Sequence, residues 1–231
     1  MNILCTICAR SNSKGLKNKN FINLNSKPLI SHTIEIAKKI NFFSKIVLSS
    51  DSKKIYKLNT KYKLDYLIDR SKKLSGDKVG KVKVIQDALK KSEKKFNIKF
   101  DYIFDLDVTS MLRNKSDIIA SFKKMINKNA DNLVSVTEAR KNPYFNMIEY
   151  SEKKKFHLSK SLKNGVFSRQ TAPKVYELNA SIYIWKRKAL INFKKLINKK
   201  TIIHLMPRER SIDIDEKIDL EIAKLYLNDT K

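Results

Sequence analysis

Apolar runs of strand length alternate four times with amphipathic stretches of helical spacing, and this pattern most restricts the fold of the chain. Ile3–Cys8 reads as a buried first strand, and a helix is expected from Ser31 or His32 through Lys39, with Ile34, Ala37 and Ile40 near helical spacing. Lys45–Ser49 is the second strand, and Ser50-Asp51-Ser52 caps a short helix carrying Ile55, Tyr56 and Leu58. Leu64–Ile68, a helix with Val84, Ile85, Ala88 and Leu89, the strand Tyr102–Leu106, a helix over 116–127 and the strand Asn132–Thr137 continue the series. Such alternation predicts an α/β fold, with a mostly parallel sheet and helices on both faces. After Pro143 the pattern breaks. Short aromatic and apolar runs over 145–184 predict a β-rich excursion, a lid or an oligomerisation arm, within one domain spanning 1–231.

The segment directly after the first strand, Ala9-Arg10-Ser11-Asn12-Ser13-Lys14-Gly15-Leu16-Lys17-Asn18-Lys19-Asn20, is basic and rich in amide donors. Ligands bind open α/β sheets at the carboxyl ends of their strands, and successive backbone N–H groups in such a loop form an anion-binding concavity. Gly15 permits close backbone approach, and Arg10, Lys14 and Lys19 add positive charge. A phosphate chain is the favoured occupant, against the plainer reading of a solvated lysine-rich turn.

The formal net charge of the 231 residues is +27, which raises the possibility of a nucleic-acid binder. The lysines are spread through every segment, however, and are not concentrated on one element with aromatics between them. The charge therefore reads as compositional background, and no specific nucleic-acid partner is expected. No apolar run approaches membrane-spanning length and no signal peptide is visible, so a cytoplasmic location is expected. Cys5 and Cys8 lie in an apolar run and point to opposite faces of a strand, which suits core cysteines rather than a metal or redox pair.

Asp213 and Asp215 are separated by one residue. In extended chain they face one side and can share Mg²⁺, which takes one or two protein carboxylates together with substrate phosphates. The competing reading is an acidic helix start, Asp213-Asp215-Glu216-Asp219, favoured by the helix dipole. Arg10, Lys19, Arg70, Arg113 and Arg169 are candidate phosphate or carboxylate clamps. Asp105 and Asp107 can be a second metal pair, a general base or helix caps. His32, His157 and His204 form no ligand set.

The pattern Ala9-Arg10-x-x-Ser13-Lys14-Gly15-x-x-x-Lys19-Asn20 resembles the opening signature of the cytidylyltransferases that activate nine-carbon acidic sugars. Further matches follow in order: Lys27-Pro28-Leu29-Ile30, Ser49-Ser50-Asp51-Ser52, Thr109-Ser110-x-Leu112-Arg113, Asn142-Pro143, Arg169-Gln170, Asn179-Ala180-x-Ile182-Tyr183 and Ile212-Asp213-Ile214-Asp215. The resemblance implies a three-layer nucleotidyltransferase fold, CTP and a nine-carbon 2-keto acid sugar as substrates, Mg²⁺, and a homodimer built through the excursion. By position, Ala9, Arg10, Ser13, Lys14, Gly15, Lys19, Asn20, Arg70, Asp77 and Gly80 would bind the nucleotide. Asp107, Thr109, Ser110, Arg169, Gln170, Asn179 and Tyr183 would face the sugar, and Asp213 and Asp215 would hold the metal. Arg10, Lys19, Asp213 and Asp215 would carry the catalysis.

Asp107 stands where the sialic acid enzymes typically have Gln. With the Cys-x-Ile-Cys-Ala-Arg start and Asn142-Pro143-Tyr144-Phe145-Asn146, this looks more like the legionaminic acid branch, with an N-acetylneuraminate or pseudaminate enzyme as the alternative within the family. An ionised Asp107 facing the sugar would accept from an amide N–H and would disfavour a sugar offering an acceptor there.

Overall fold

The computed structural model describes residues 1–11, 15–151 and 155–228. Strand β1 (Ile3–Ala9) is buried along its length apart from half-buried Cys8. A strand buried on both faces belongs inside a helix-covered parallel or mixed sheet. After the short β2 (Asn23–Leu24) and β3 (Lys27–Pro28) come α1 (Leu29–Lys38), β4 (Lys45–Ser50), α2 (Ile55–Tyr62), β5 (Tyr66–Asp69) and α3 (Lys81–Phe96). They are followed by β6 (Tyr102–Leu106), α4 (Lys115–Asn127) and β7 (Asn132–Glu138). The remaining elements are β8 (Ile148–Tyr150), β9 (Phe156–Leu158), β10 (Tyr176–Lys186), α5 (Arg187–Ile191), β11 (Thr201–Leu205) and α6 (Lys217–Asn228).

The main sheet has the order β11-β7-β10-β6-β1-β4-β5. All its pairings are parallel except those of β10, which runs antiparallel to both β6 and β7. The alternation of β1 divides the core. Ile3, Cys5 and Ile7 pack with Ile34 of α1, Phe122 of α4 and Ala223 of α6, while Leu4 packs with Ile85 and Leu89 of α3 and with Trp185. This is the expected three-layer arrangement, with the two cysteines in different layers. Among the described residues no helix is long and apolar enough to cross a membrane.

Three expectations are corrected. Helix α1 opens at Leu29, directly after Pro28, because Leu29 and Ile30 are both fully buried and form its first turn. Asp51 caps no helix: its carboxylate accepts from the backbone N–H and hydroxyl of Ser11, 2.7 Å each, and so fixes the start of the loop after β1. Leu178–Trp185 is not part of the excursion but lies within β10, inside the main sheet. The excursion therefore ends near residue 175 and contains the separate hairpin β8–β9. The pairing of β10 with β7 shifts between Leu178 and Tyr183, where Ala180 takes a φ of 53°, so the strand bulges as it enters the sheet.

Candidate active site

The carboxyl end of β1 delivers Arg10 to the edge of the sheet. Asn20 is buried and its amide donates to the Arg10 carbonyl at 2.9 Å, which closes the loop upon itself. Lys19 donates to Asp215 Oδ1 at 2.6 Å, tying the loop to the chain after β11. A Cβ at Gly15 would overlap the Asp215 carbonyl oxygen, so glycine is needed here for contact with protein backbone. Ser13 and Lys14 lie outside the described residues.

These groups line a cavity of about 400 Å³. Arg10, Lys19, Arg70 and Lys81 supply its positive charge, and Asp77, Asp107 and Asp215 its negative charge. Arg10 pairs with Asp77 at 2.8 Å. Arg70 is buried and its guanidinium is held by Ser49, donating to the carbonyl at 2.5 Å and to the hydroxyl at 3.3 Å. Among the described residues no carboxylate pairs with it. A buried cation fixed by neutral groups is a ready phosphate ligand, since its charge is not already neutralised.

Asp105 and Asp107, at the end of β6, converge on Lys81, the first residue of α3. Lys81 Nζ donates to Asp107 Oδ2 at 2.5 Å and lies 2.8 Å from Asp105 Oδ2, an ion pair outside hydrogen-bond geometry. Burial alone would push the Lys81 ammonium down, but the two carboxylates more than reverse this and hold it above the ordinary lysine range. Burial alone would raise Asp107; Lys81 and the backbone N–H and hydroxyl of Thr109 instead bring it down to about 2. This overturns the argument that Asp107 selects the sugar as an acceptor in want of a donor. Its carboxylate is already paired, and a substrate offering an acceptor leaves it no worse off. The pairing with Lys81 was missed, although the signal was present: two carboxylates at a buried strand end require a cation.

Asp213 and Asp215 flank the buried Ile214, whose backbone N–H donates to the Thr109 carbonyl at 3.1 Å. The start of α6 is served by Asp219, which accepts from the N–H groups of Asp215 and Glu216 at 3.0 and 2.8 Å. The acidic-helix-start reading thus applies to Asp219. Asp215 lines the cavity, and Asp213 Oδ1 is buried without a hydrogen-bond partner. Burial pushes the Asp213 carboxyl up; the Thr109 hydroxyl and Lys19 oppose this, while Asp107 and Asp215 add to it. Among the described residues no group of three or more His, Cys, Asp or Glu side chains is placed to hold a metal, so a cation here would need substrate oxygens as well.

The other expected residues are distributed differently. Thr109 lines the same cavity. Gly80 and Tyr183 border a neighbouring cleft with Trp185 and Phe193, and the Lys81 ammonium stands 5.2 Å from the Tyr183 ring centroid. Ala9 and Ser110 are fully buried. Asn179 is also buried: its carbonyl accepts from Ser135 at 2.6 Å and its amide donates to Ser211 at 2.9 Å, which braces the bulge of β10. Arg169 and Gln170 are exposed on the excursion and do not line the cavity. Arg113 is no clamp. It is buried and donates to Ser181, Thr33 and the Asp107 carbonyl, joining β10, α1 and the end of β6.

A cation-lined cavity at the carboxyl edge of a mostly parallel sheet belongs to the nucleotide-handling α/β proteins. The sequence model of the cytidylyltransferase family matches residues 4–230, and the chain belongs to that family. It is 39% identical, over 98% of its length and 95% of the relative's, to post-translational flagellin modification protein B of Campylobacter coli. It is 37% identical, over the same shares of the two chains, to the CMP-N,N'-diacetyllegionaminic acid synthase of Campylobacter jejuni. A solved structure of CMP:2-keto-3-deoxy-manno-octonic acid synthetase complexed with CTP superposes with a TM-score of 0.70, covering 100% of both chains at 12% identity, and so shares the fold.

Proposed function

We propose that the protein transfers a cytidylyl group from CTP to a nine-carbon 2-keto acid sugar of the legionaminic type, acting in the cytoplasm as a homodimer. The observation that carries this reading is the set of Arg10, Lys19, Arg70 and Lys81 around one cavity, with Asp215 at its rim and Asp213 beside Thr109. The anomeric hydroxyl attacks the α-phosphorus, its proton passes to solvent water, and the bond to the β-phosphate breaks with its electron pair leaving on pyrophosphate. Arg10, Lys19 and Arg70 bind the phosphates and offset the charge that gathers on their oxygens. Asp213 and Asp215 offer hard oxygen donors that suit Mg²⁺, and the unpartnered Asp213 Oδ1 fits such a role. When bound, Mg²⁺ would supply charge stabilisation at the phosphate oxygens.

The legionaminic preference is supported by the similarity to the Campylobacter jejuni synthase and by the motifs quoted above, no longer by Asp107. The test is pyrophosphate release from CTP with legionaminic, pseudaminic and N-acetylneuraminic acids side by side, the first giving the highest kcat/KM. A preference for another of the three overturns the branch. Strong binding to duplex DNA at physiological salt with no pyrophosphate release overturns the enzyme in favour of a basic nucleic-acid binder.

The homodimer is supported by the excursion, where Ile148, Tyr150 and Phe156 of the hairpin are 64%, 61% and 71% exposed and Phe167 is 89% exposed. A two-stranded hairpin with so much apolar surface is not stable alone in water. Light scattering is expected to give twice the mass of the chain at micromolar concentration; a monomer mass there rejects the dimer.

A further inference from the structure

Among the described residues Lys81 alone lines both the charged cavity and the neighbouring cleft of Tyr183, Trp185, Phe193 and Leu196. The cavity is rich in charge. The cleft is largely aromatic and aliphatic, with Lys83, Gln86 and Lys194 also in its lining. In the reaction proposed above, on which this inference rests, the acceptor sugar must place its anomeric carbon at the α-phosphorus, hence where the two spaces meet. Besides the ring oxygen and the next ring carbon, the anomeric carbon of a 2-keto acid sugar carries two exocyclic groups: the hydroxyl that attacks and the carboxylate. The carboxylate therefore reaches the same junction as the attacking oxygen.

We infer that the Lys81 ammonium binds the carboxylate of the acceptor sugar and so restricts the enzyme to acidic sugars. An ammonium has three N–H donors. One is given to Asp107 and the ion pair with Asp105 engages a second at most, so a donor is left for substrate; the sugar carboxylate is held through that N–H and not through net charge, which the two aspartates already balance. The two carboxylates also seat the group: Asp105 is fully buried on β6, and its other oxygen accepts from the Thr6 hydroxyl at 2.8 Å. Lys81 is thereby held to one position instead of sweeping a long side chain through solvent, which lowers the entropy lost on binding. The same pairing keeps it charged, so Lys81 is a binding group and not the base.

The experiment compares the acidic sugar with its carboxyl methyl ester, in the parent and in Lys81→Met, with KM measured separately for sugar and CTP. The parent is expected to favour the acid over the ester by roughly 10- to 150-fold in kcat/KM, the range of a hydrogen bond to a charged group. In Lys81→Met this ratio collapses toward one, through sugar KM, while CTP KM changes little. The ratio is taken within one protein and is independent of how much of it is folded. Lys81→Met combined with Asp105→Asn and Asp107→Asn, which removes both carboxylates left unpaired by the single variant, is expected to give the same collapse should the single variant not fold. An unchanged acid-to-ester ratio overturns the assignment, as does a rise in CTP KM with sugar KM constant, which would make Lys81 a phosphate ligand. If the parent itself releases no pyrophosphate with any 2-keto acid sugar, the proposed function fails and this inference with it; failure of the ratio alone leaves the proposed function intact.

Discussion

Asp215→Asn and Asp213→Asn are each expected to lower turnover by about 10²–10³-fold, the scale seen when one preorganised charge-stabilising group is removed. The side chains of the pair are not needed to start α6, since Asp219 in its first turn accepts from the N–H groups of Asp215 and Glu216 directly before the helix. Asp213 in fact opposes folding when no cation is present. Burial chiefly raises its carboxyl above the ordinary value, so the folded state binds a proton more tightly than the unfolded one. The resulting penalty is full above the raised folded value and disappears as pH falls below the unfolded value. At pH 7 without Mg²⁺, Asp213→Asn should therefore melt no lower than the parent while losing activity. The same shift makes proton and cation compete, so the Mg²⁺ concentration for half-maximal rate should rise as pH falls. A near-normal rate with unaltered Mg²⁺ dependence in both variants would show that the two carboxylates hold no metal.

Arg113→Met is expected to cost about 2–4 kcal/mol of stability, read from denaturant unfolding, and to leave CTP saturation unchanged in the folded fraction. The guanidinium donates to the Ser181 carbonyl and hydroxyl at 3.2 and 3.0 Å, to the Thr33 hydroxyl at 3.2 Å and to the Asp107 carbonyl. Methionine can fill much of the volume but leaves two buried carbonyls with fewer donors. Some of the loss is offset because the charge is costly to bury: desolvation brings the Arg113 guanidinium down to about 10, against the pull of Asp107 and other neighbours. A raised CTP KM with unaltered stability would restore Arg113 as a phosphate clamp.

These two cases show where the sequence was informative. Asp213 and Asp215 stand out in the sequence as a candidate pair because their spacing is short and the proposed chemistry is carried by the two residues themselves. Arg113 was misread because an arginine at a strand end looks the same whether it meets phosphate or backbone carbonyls; the difference lies in Ser181 and Thr33, which are 68 and 80 residues away. The pairing of Asp107 was not legible for the same reason, since its partner Lys81 is 26 residues distant on another element. The apolar run at Leu178–Trp185 gave strand type but not sheet membership, because an isolated strand carries no record of its neighbours.

By itself the sequence determined the alternation of strands and helices, the placing of a basic loop directly after the first strand and the close spacing of Asp213 and Asp215 near the end of the chain. Each depends on residues close together, whose periodicity and chemistry are local. Only the tertiary structure decided that β10 runs antiparallel through the middle of the sheet, that Asp105 and Asp107 are bridged by Lys81, and that Arg70 is buried with no ion-pair partner among the described residues. Those outcomes come from packing segments far apart in the chain, where burial forces each charge to find a partner or to await one from a ligand.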